Sequence, residues 1–146
     1  MQEIGDAGIG AVTAEVYMLT EDTPQNKAFI ERWKKRKLDP EHPYPTWLIG
    51  KSYQAFMFMA EAIKKAKSTK ADDIIKAWEG MTYDALVGRM TMRPCDHQVI
   101  TPISVSEVVA GPGAYYKFPF VGTPTMIAAE KAAVPPEETG NPRCKK

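Results

Sequence analysis

Only two cysteines and two histidines occur in 146 residues. A structural zinc site needs about four ligands at suitable spacing, and no Cys-x-x-Cys is present. Cys95, Asp96 and His97 stand in a row, but a cysteine–histidine pair becomes a nucleophile only when a third group orients the base. No catalytic residue and no metal ligand is assigned. Paired carboxylates are also missing: Asp72 and Asp73 read as charges at a helix start, and Glu137 and Glu138 lie in a proline-rich tail. An excess of charge of either sign is absent, with 19 Lys and Arg against 18 Asp and Glu. The electrostatic footprint of a nucleic-acid binder is therefore lacking. The basic run from Arg32 to Lys37 is local, and at the end of a helix it complements the macrodipole. No apolar run is long enough to span a membrane, because Lys51, Gln54 and Glu61 interrupt the strongest one. Met1 is followed by Gln-Glu-Ile-Gly-Asp, which has neither a basic nor an apolar leader region. Either the protein is cytosolic or a leader lies outside this chain. Gly5, Gly8, Gly10, Gly111 and Gly113 lack the Gly-Lys-Ser/Thr ending of a phosphate loop. The first group also leads into a strand, the reverse of a dinucleotide fingerprint. Both glycine groups read as turns, and no cofactor is expected.

What is present is an ordinary soluble composition, 44% hydrophobic and 25% charged, at a length suited to one domain. The chain is organised around residues 45–67. At helical period Ile49, Tyr53, Phe56, Met57, Ala60 and Ile63 share one face, and Leu48, Ala55, Met59, Ala62 and Ala66 a neighbouring one. Only Lys51, Gln54, Glu61 and Lys65 form a polar stripe, and Phe58 interrupts it. A helix apolar over most of its circumference is a buried helix.

Around it, Val12, Ala14, Val16 and Met18 alternate with Thr13, Glu15 and Tyr17, a strand pattern. Thr23 caps and Pro24 opens a helix to about Lys37, with Phe29, Ile30 and Trp33 on one face. Residues 38–45, with Pro40, Pro43 and Pro45, form an extended loop. Ser68 or Thr69 caps a third helix that buries Ile74, Ile75 and Trp78 and ends at Gly80. Residues 83–86 read as a turn, 87–92 as a strand, 94–98 as a loop and 99–109 as a second strand region. Residues 115–120 read as a short aromatic strand, and the tail from Val121 as extended, with a short helix over 126–132. Cys95 and Cys144, if oxidised, close a loop of about 50 residues, and composition leaves open whether they meet. Three helices and a few short strands cannot cover a helix buried on two sides. The expectation is that these residues are a piece of a larger protein, or that they assemble with another chain.

Pro24-x-Asn26-x-x-Phe29, Ser52-Tyr53-x-Ala55, Ala60-x-Ala62-Ile63-x-x-Ala66, Asp72-x-Ile74-Ile75, Gly80, Tyr83-Asp84, Gly88-Arg89-Met90-Thr91-Met92-Arg93 and Asp96-His97-Gln98 follow one another in an order that resembles the C-terminal part of a periplasmic solute-binding protein of the leucine/isoleucine/valine-binding type. The resemblance runs from about Val16 to Val109. It implies an α/β, two-lobed fold with mostly parallel sheets, three hinge crossings, and a solute cleft that closes by hinge motion. On that basis residues 1–20 are a strand and hinge segment from the second lobe, with Tyr17, Met18, Leu19 and Thr20 as a hinge. Residues 21–98 are the helical part of the first lobe with a returning strand, 99–120 recross the hinge, and 121–146 are an extended tail. Tyr44, Trp47 and Leu48 would face the ligand, although Trp47 also suits a plain core position. The resemblance further implies a non-enzyme of the periplasm that takes an amino acid or aromatic acid and delivers it to the permease of an ABC importer. The missing N-terminal portion or a second copy would complete the fold. A ligand-sensing regulatory domain of the same architecture is the alternative. In an exported protein, a disulfide between Cys95 and Cys144 is expected.

Overall fold

The structure, a computed structural model, describes residues 3–37 and 43–145. Residues 38–42, with Pro40 and His42 of the expected loop, lie outside the described residues.

Two antiparallel sheets carry the chain. The first joins β1 (Val12–Glu15), β5 (Ile103–Val109), β6 (Phe120–Val121) and β7 (Thr125–Ile127), with β5 paired to the other three. The second is β2 (Thr82–Ala85), β3 (Gly88–Met92) and β4 (Val99–Ile100) in that order. Helices α1 (Pro24–Arg36), α2 (Trp47–Ala66) and α3 (Ala71–Trp78) lie between β1 and β2 in the chain, and a single turn, α4 (Ala129–Ala132), follows β7. The α/β assignment stands. The mostly parallel sheets implied by the resemblance do not occur among the described pairings, which are all antiparallel. The short connections of β2 to β3 and β3 to β4 allow only antiparallel pairing, since parallel neighbours need a long crossover.

Helix starts follow local chemistry. Thr23 Oγ1 accepts from Asn26 N at 3.1 Å ahead of Pro24, and Thr46 Oγ1 accepts from Ile49 N at 3.4 Å. Such caps satisfy donors that the first helical turn leaves free. The third helix differs from expectation: Lys70 occupies its cap position with no side-chain bond, while Ser68 Oγ accepts from Lys70 N and donates to Asp73. None of its residues is fully buried, and Ile75 is exposed.

The central helix turns a different face inward from the one its apolar residues suggest. Its buried residues are Gly50, Gln54, Phe58 and Ala62, one row at i, i+4. This row runs through the expected polar stripe. Gln54 is tolerated there because its Nε2 donates to Val16 O at 2.9 Å. Phe58 stacks on Tyr83 and meets Trp78 edge-on, over a core of Ala85, Met90 and Met92. Phe56 is 67% exposed, and Leu48 and Met59 are also exposed. The apolar faces are therefore only partly covered among the described residues: Ile49 and Tyr53 pack half-buried against the core with Tyr17 and Phe29, while Leu48, Phe56 and Met59 stay open.

Of residues 83–86, read as a turn, Tyr83–Ala85 belong to a strand and only Leu86 to a turn. The turn is Leu86 and Val87, because Ala85 pairs with Gly88, and Val87 therefore falls outside the strand expected over 87–92. Both turn residues are buried with Tyr17 and Phe29, so this hairpin tip is a core element. Region 99–109 is two strands in two sheets, divided at Thr101 and Pro102. Along β5 it is Ser104, Ser106 and Val108 that face inward, while Ile103 and Val105 are half-buried. Residues 115–119 are irregular, and only Phe120 and Val121 of the aromatic run pair. The expected helix over 126–132 divides into β7 and α4.

The tail is fastened back. Cys95 and Cys144 form a disulfide. The buried Arg93 guanidinium forks onto Asp96, with Nε–Oδ1 2.9 Å and Nη2–Oδ2 2.5 Å, and also bonds Gln98 Oε1 and Val134 O. The Arg93 bonds hold the Asp96 carboxyl down to about 2.

Gly50 has no room for a side chain: a Cβ there would overlap the Tyr17 ring. Gly50→Ala is expected to lower stability by about 2 kcal/mol by overpacking, despite alanine's better helix propensity, read as a fall in Tm. Reducing the disulfide, or making Cys144→Ser, should cost roughly 4 kcal/mol in the chain-entropy model. Urea denaturation with and without reductant measures it, and an unchanged midpoint would show that the crosslink is idle.

Candidate functional site

A cavity of about 650 Å³ opens between the end of β1, the start of α2 and the aromatic segment before β6. The alternation of β1 sets Thr13 and Glu15 on one side of the strand, and both line the cavity with Tyr17, Met18 and Leu19. Pro43, Pro45, Thr46 and Trp47 supply the helix-side wall, and Tyr116, Phe118, Phe120 and Val121 the opposite one. The last three rings pack on one another. Tyr116 stacks on Phe118 at 4.7 Å and lies 4.8 Å from Phe120. Rings of this kind give a rigid apolar wall with little entropy to lose.

The chain segment that follows β1 is held by a buried polar network. Tyr17 OH donates to Asn26 Oδ1 at 2.9 Å, while Asn26 Nδ2 donates to Leu19 O and Glu21 O at 3.0 and 2.9 Å. Tyr17 and Asn26 are both fully buried. Burial pushes the Tyr17 hydroxyl far above the usual phenol range, so it stays a neutral donor. Thr20 Oγ1 donates to Gly122 O at 2.7 Å, and Ser104 Oγ donates to Glu21 Oε1. Burial raises the Glu21 carboxyl, and the Ser104 hydroxyl partly offsets that. These bonds tie the segment to the first sheet.

The residues singled out from the sequence fall in different places. Trp47, the first residue of α2, lines the cavity with its ring half-exposed, and Lys51 Nζ lies 5.7 Å from the ring centroid. Tyr44 stands behind the wall and not on it: it meets Tyr115 and Tyr116 edge-on at 5.1 and 5.4 Å, with Lys34 Nζ 5.4 Å from its ring. Leu48 does not line the cavity and is 54% exposed. One helical step rotates it about 100° from Trp47. Tyr17, Met18 and Leu19 line the cavity floor, and Thr20 sits just outside it. Ligand atoms of Cys95, Asp96 and Cys144 lie within 4.8 Å of one another, but both sulfurs are spent in the disulfide. His97 Nε2 is 2.7 Å from Glu79 Oε1.

Sequence reasoning passed over Thr13, Glu15, Thr46, Tyr116, Phe118 and Phe120. The signal was there: Tyr116, Phe118 and Phe120 recur at every second residue, and so do Thr13, Glu15 and Tyr17.

The family model described as "Periplasmic binding protein" matches residues 1–112. The chain belongs to the periplasmic binding protein family. No curated protein matches it. Among solved structures, an ABC-type branched-chain amino acid transporter from Rhodopseudomonas palustris is 25% identical with a TM-score of 0.72, covering 87% of this chain and 33% of its own. The leucine-, isoleucine-, valine-, threonine- and alanine-binding protein of Brucella ovis, in a closed conformation, is 23% identical with a TM-score of 0.73, covering 92% and 35%. A solute-binding protein of an ABC transporter from R. palustris BisB5, in complex with 3,4-dihydroxybenzoic acid, is 23% identical with a TM-score of 0.67, covering 83% and 32%. The chain thus spans about a third of the length of the solved structures it matches.

Asn26→Ala leaves the Tyr17 hydroxyl and two backbone carbonyls without partners. The expected loss is about 3 kcal/mol or more. Tyr17→Phe, which strands only the Asn26 carbonyl, should lose less. Chemical denaturation of the two variants side by side checks the order.

Proposed function

We propose that this chain is part of the solute-binding component of an ABC importer, which works in the periplasm with a membrane permease and does no covalent chemistry. The observation that carries the reading is the cavity at the end of β1, walled by Trp47 on one side and by Tyr116, Phe118 and Phe120 on the other. A concave, largely apolar site with a few polar groups is the usual form of a small-molecule site. The solved relatives are named for amino acids or hold an aromatic acid, and a solute of one of those two kinds is taken here.

In this reading residues 1–20 and 99–120 belong to the second lobe and its crossings, and residues 21–98 to the first. Tyr17, Met18, Leu19 and Thr20 are a hinge strand. The passage at Thr101 and Pro102 also joins the two sheets, and the one that follows β7 leads from the first sheet to α4, which lies against β4 of the second. Closure would bring the walls together on the solute. The exposed side of α2, with Leu48, Phe56 and Met59, is where the rest of the first-lobe sheet would lie. That sheet comes from an N-terminal portion or from a second copy.

Calorimetry with leucine, isoleucine, valine, phenylalanine and 4-hydroxybenzoate tests the reading. At least one should bind. Trp47→Ala should weaken binding by about tenfold or more, as loss of an aromatic anchor does, while Leu48→Ala leaves affinity unchanged. Silence toward every solute would end the proposal.

A further inference from the structure

Side chains fasten the segment from Tyr17 to Glu21 back across the place where it leaves the first sheet. Glu21 stands between Thr20 and α1, at the start of the first lobe in the reading above, yet its carboxyl meets Ser104 of β5, 83 positions away. Ser104 lies just past the passage at Thr101 and Pro102. Both partners are buried. Beside them, Thr20 Oγ1 and Ser106 Oγ both donate to Gly122 O, at 2.7 and 3.1 Å. Of these bonds to the first sheet, only the Glu21 bond involves a group that can gain or lose a proton. Little around that carboxyl offsets a charge. The Tyr17 phenol lies near it and is kept neutral by burial. From α1, Asn26 donates to the Glu21 backbone carbonyl, and Lys27 is paired with the exposed Asp22. Glu15 of β1 and Met126 of β7 stand opposite Ser104 in the sheet. Among the described residues no Lys, Arg or His stands within ion-pair distance of Glu21.

We propose that Glu21 and Ser104 form a latch across the hinge: joined, they fix the angle between the first sheet and the helical lobe, and ionisation of Glu21 loosens that hold. This rests on the hinge reading of residues 17–20 and names the pair that positions the pivot. A buried carboxylate without a cation is held at a cost that contact with water removes. Burial raises the Glu21 carboxyl above its ordinary range, and the Ser104 hydroxyl offsets part of that. A carboxyl raised in this way favours the latched arrangement fully below the ordinary carboxylate range, and that contribution is lost as pH rises through the raised value. Asp96 and Glu79 act with the opposite sign, because their partners hold them low, and they titrate in more acidic solution. A firm pivot keeps the two walls of the cavity in one relation, so less order has to be imposed when a solute enters.

Nitroxide labels at Lys76→Cys on α3 and Glu107→Cys on β5, both exposed positions, report the distance between the helical lobe and the first sheet by pulsed electron resonance from pH 5 to pH 8. No solute is added. The share of molecules outside the main distance peak should rise about threefold or more across that range, the effect of weakening about one hydrogen bond. Glu21→Gln keeps an acceptor for Ser104 and cannot ionise, so its share should stay low and flat. Ser104→Ala removes the donor and should raise the share at both ends of the range. In the protein with Glu21 and Ser104 intact, carbon-13 NMR of the Glu21 carboxyl should show it titrating above the ordinary glutamate range, in step with the distance change. A share that does not move with pH overturns the latch. So does a folded Glu21→Gln variant that still follows pH, or a carboxyl that titrates apart from the distance change. If neither variant folds, the NMR titration and the distance series on the protein with both residues intact decide. The latch can fail this test while the calorimetric panel above still finds a solute, and silence in that panel ends the solute-cleft reading by a separate measurement.

Discussion

The position of the Tyr17 ring against Gly50 governs how the rest of the chain is arranged. The ring can lie there only because the helix has no side chain at that point, and it stays there because Asn26 holds its hydroxyl. One residue thereby joins three elements: the segment after β1, the first helix and the central helix. The same ring meets Phe29 edge-on at 6.3 Å and shares a core with the buried hairpin tip at Leu86 and Val87. Close packing of this kind leaves few alternative arrangements. It fixes the angle at which the second helix starts, and with it the place of Trp47.

Much of the local structure could be read from residues alone. Thr23 with Pro24 announces a helix start through chemistry confined to one turn. The strand read over 87–92 also followed from its alternation, one residue longer than the observed Gly88–Met92. The inward face of the central helix was not legible. Its apolar residues outnumber what this chain can cover, so counting them points at a surface built by other residues. The row that is buried includes a glycine and a glutamine, and each is inside for a tertiary reason: one makes room for a ring, the other reaches a backbone carbonyl from a distant segment. Likewise Ser104 and Ser106 turn inward because their hydroxyls find Glu21 and Gly122 O. Polarity alone would have placed them outside.

The cavity was only partly foreseeable for a related reason. Trp47 and the segment from Tyr17 to Leu19 both reach it, and they were singled out from resemblance. The opposite wall comes from an irregular stretch with no hydrogen-bonded strand to advertise it. Tyr116 stacks on its near neighbour Phe118 and is backed by the Tyr44 ring, and this second contact, between residues some seventy positions apart, is encoded by no local pattern. Glu15 was visible only as one member of an alternating run.

The bond between Cys95 and Cys144 has a topological consequence. It closes a covalent ring that contains the whole of the first sheet except β1, together with the Gly111–Gly113 bend and the aromatic wall. A single peptide cut anywhere along that ring, the exposed bend included, would produce two backbone pieces but not two molecules. For a cut inside that ring, only added reduction would part the aromatic wall covalently from the rest of the cavity.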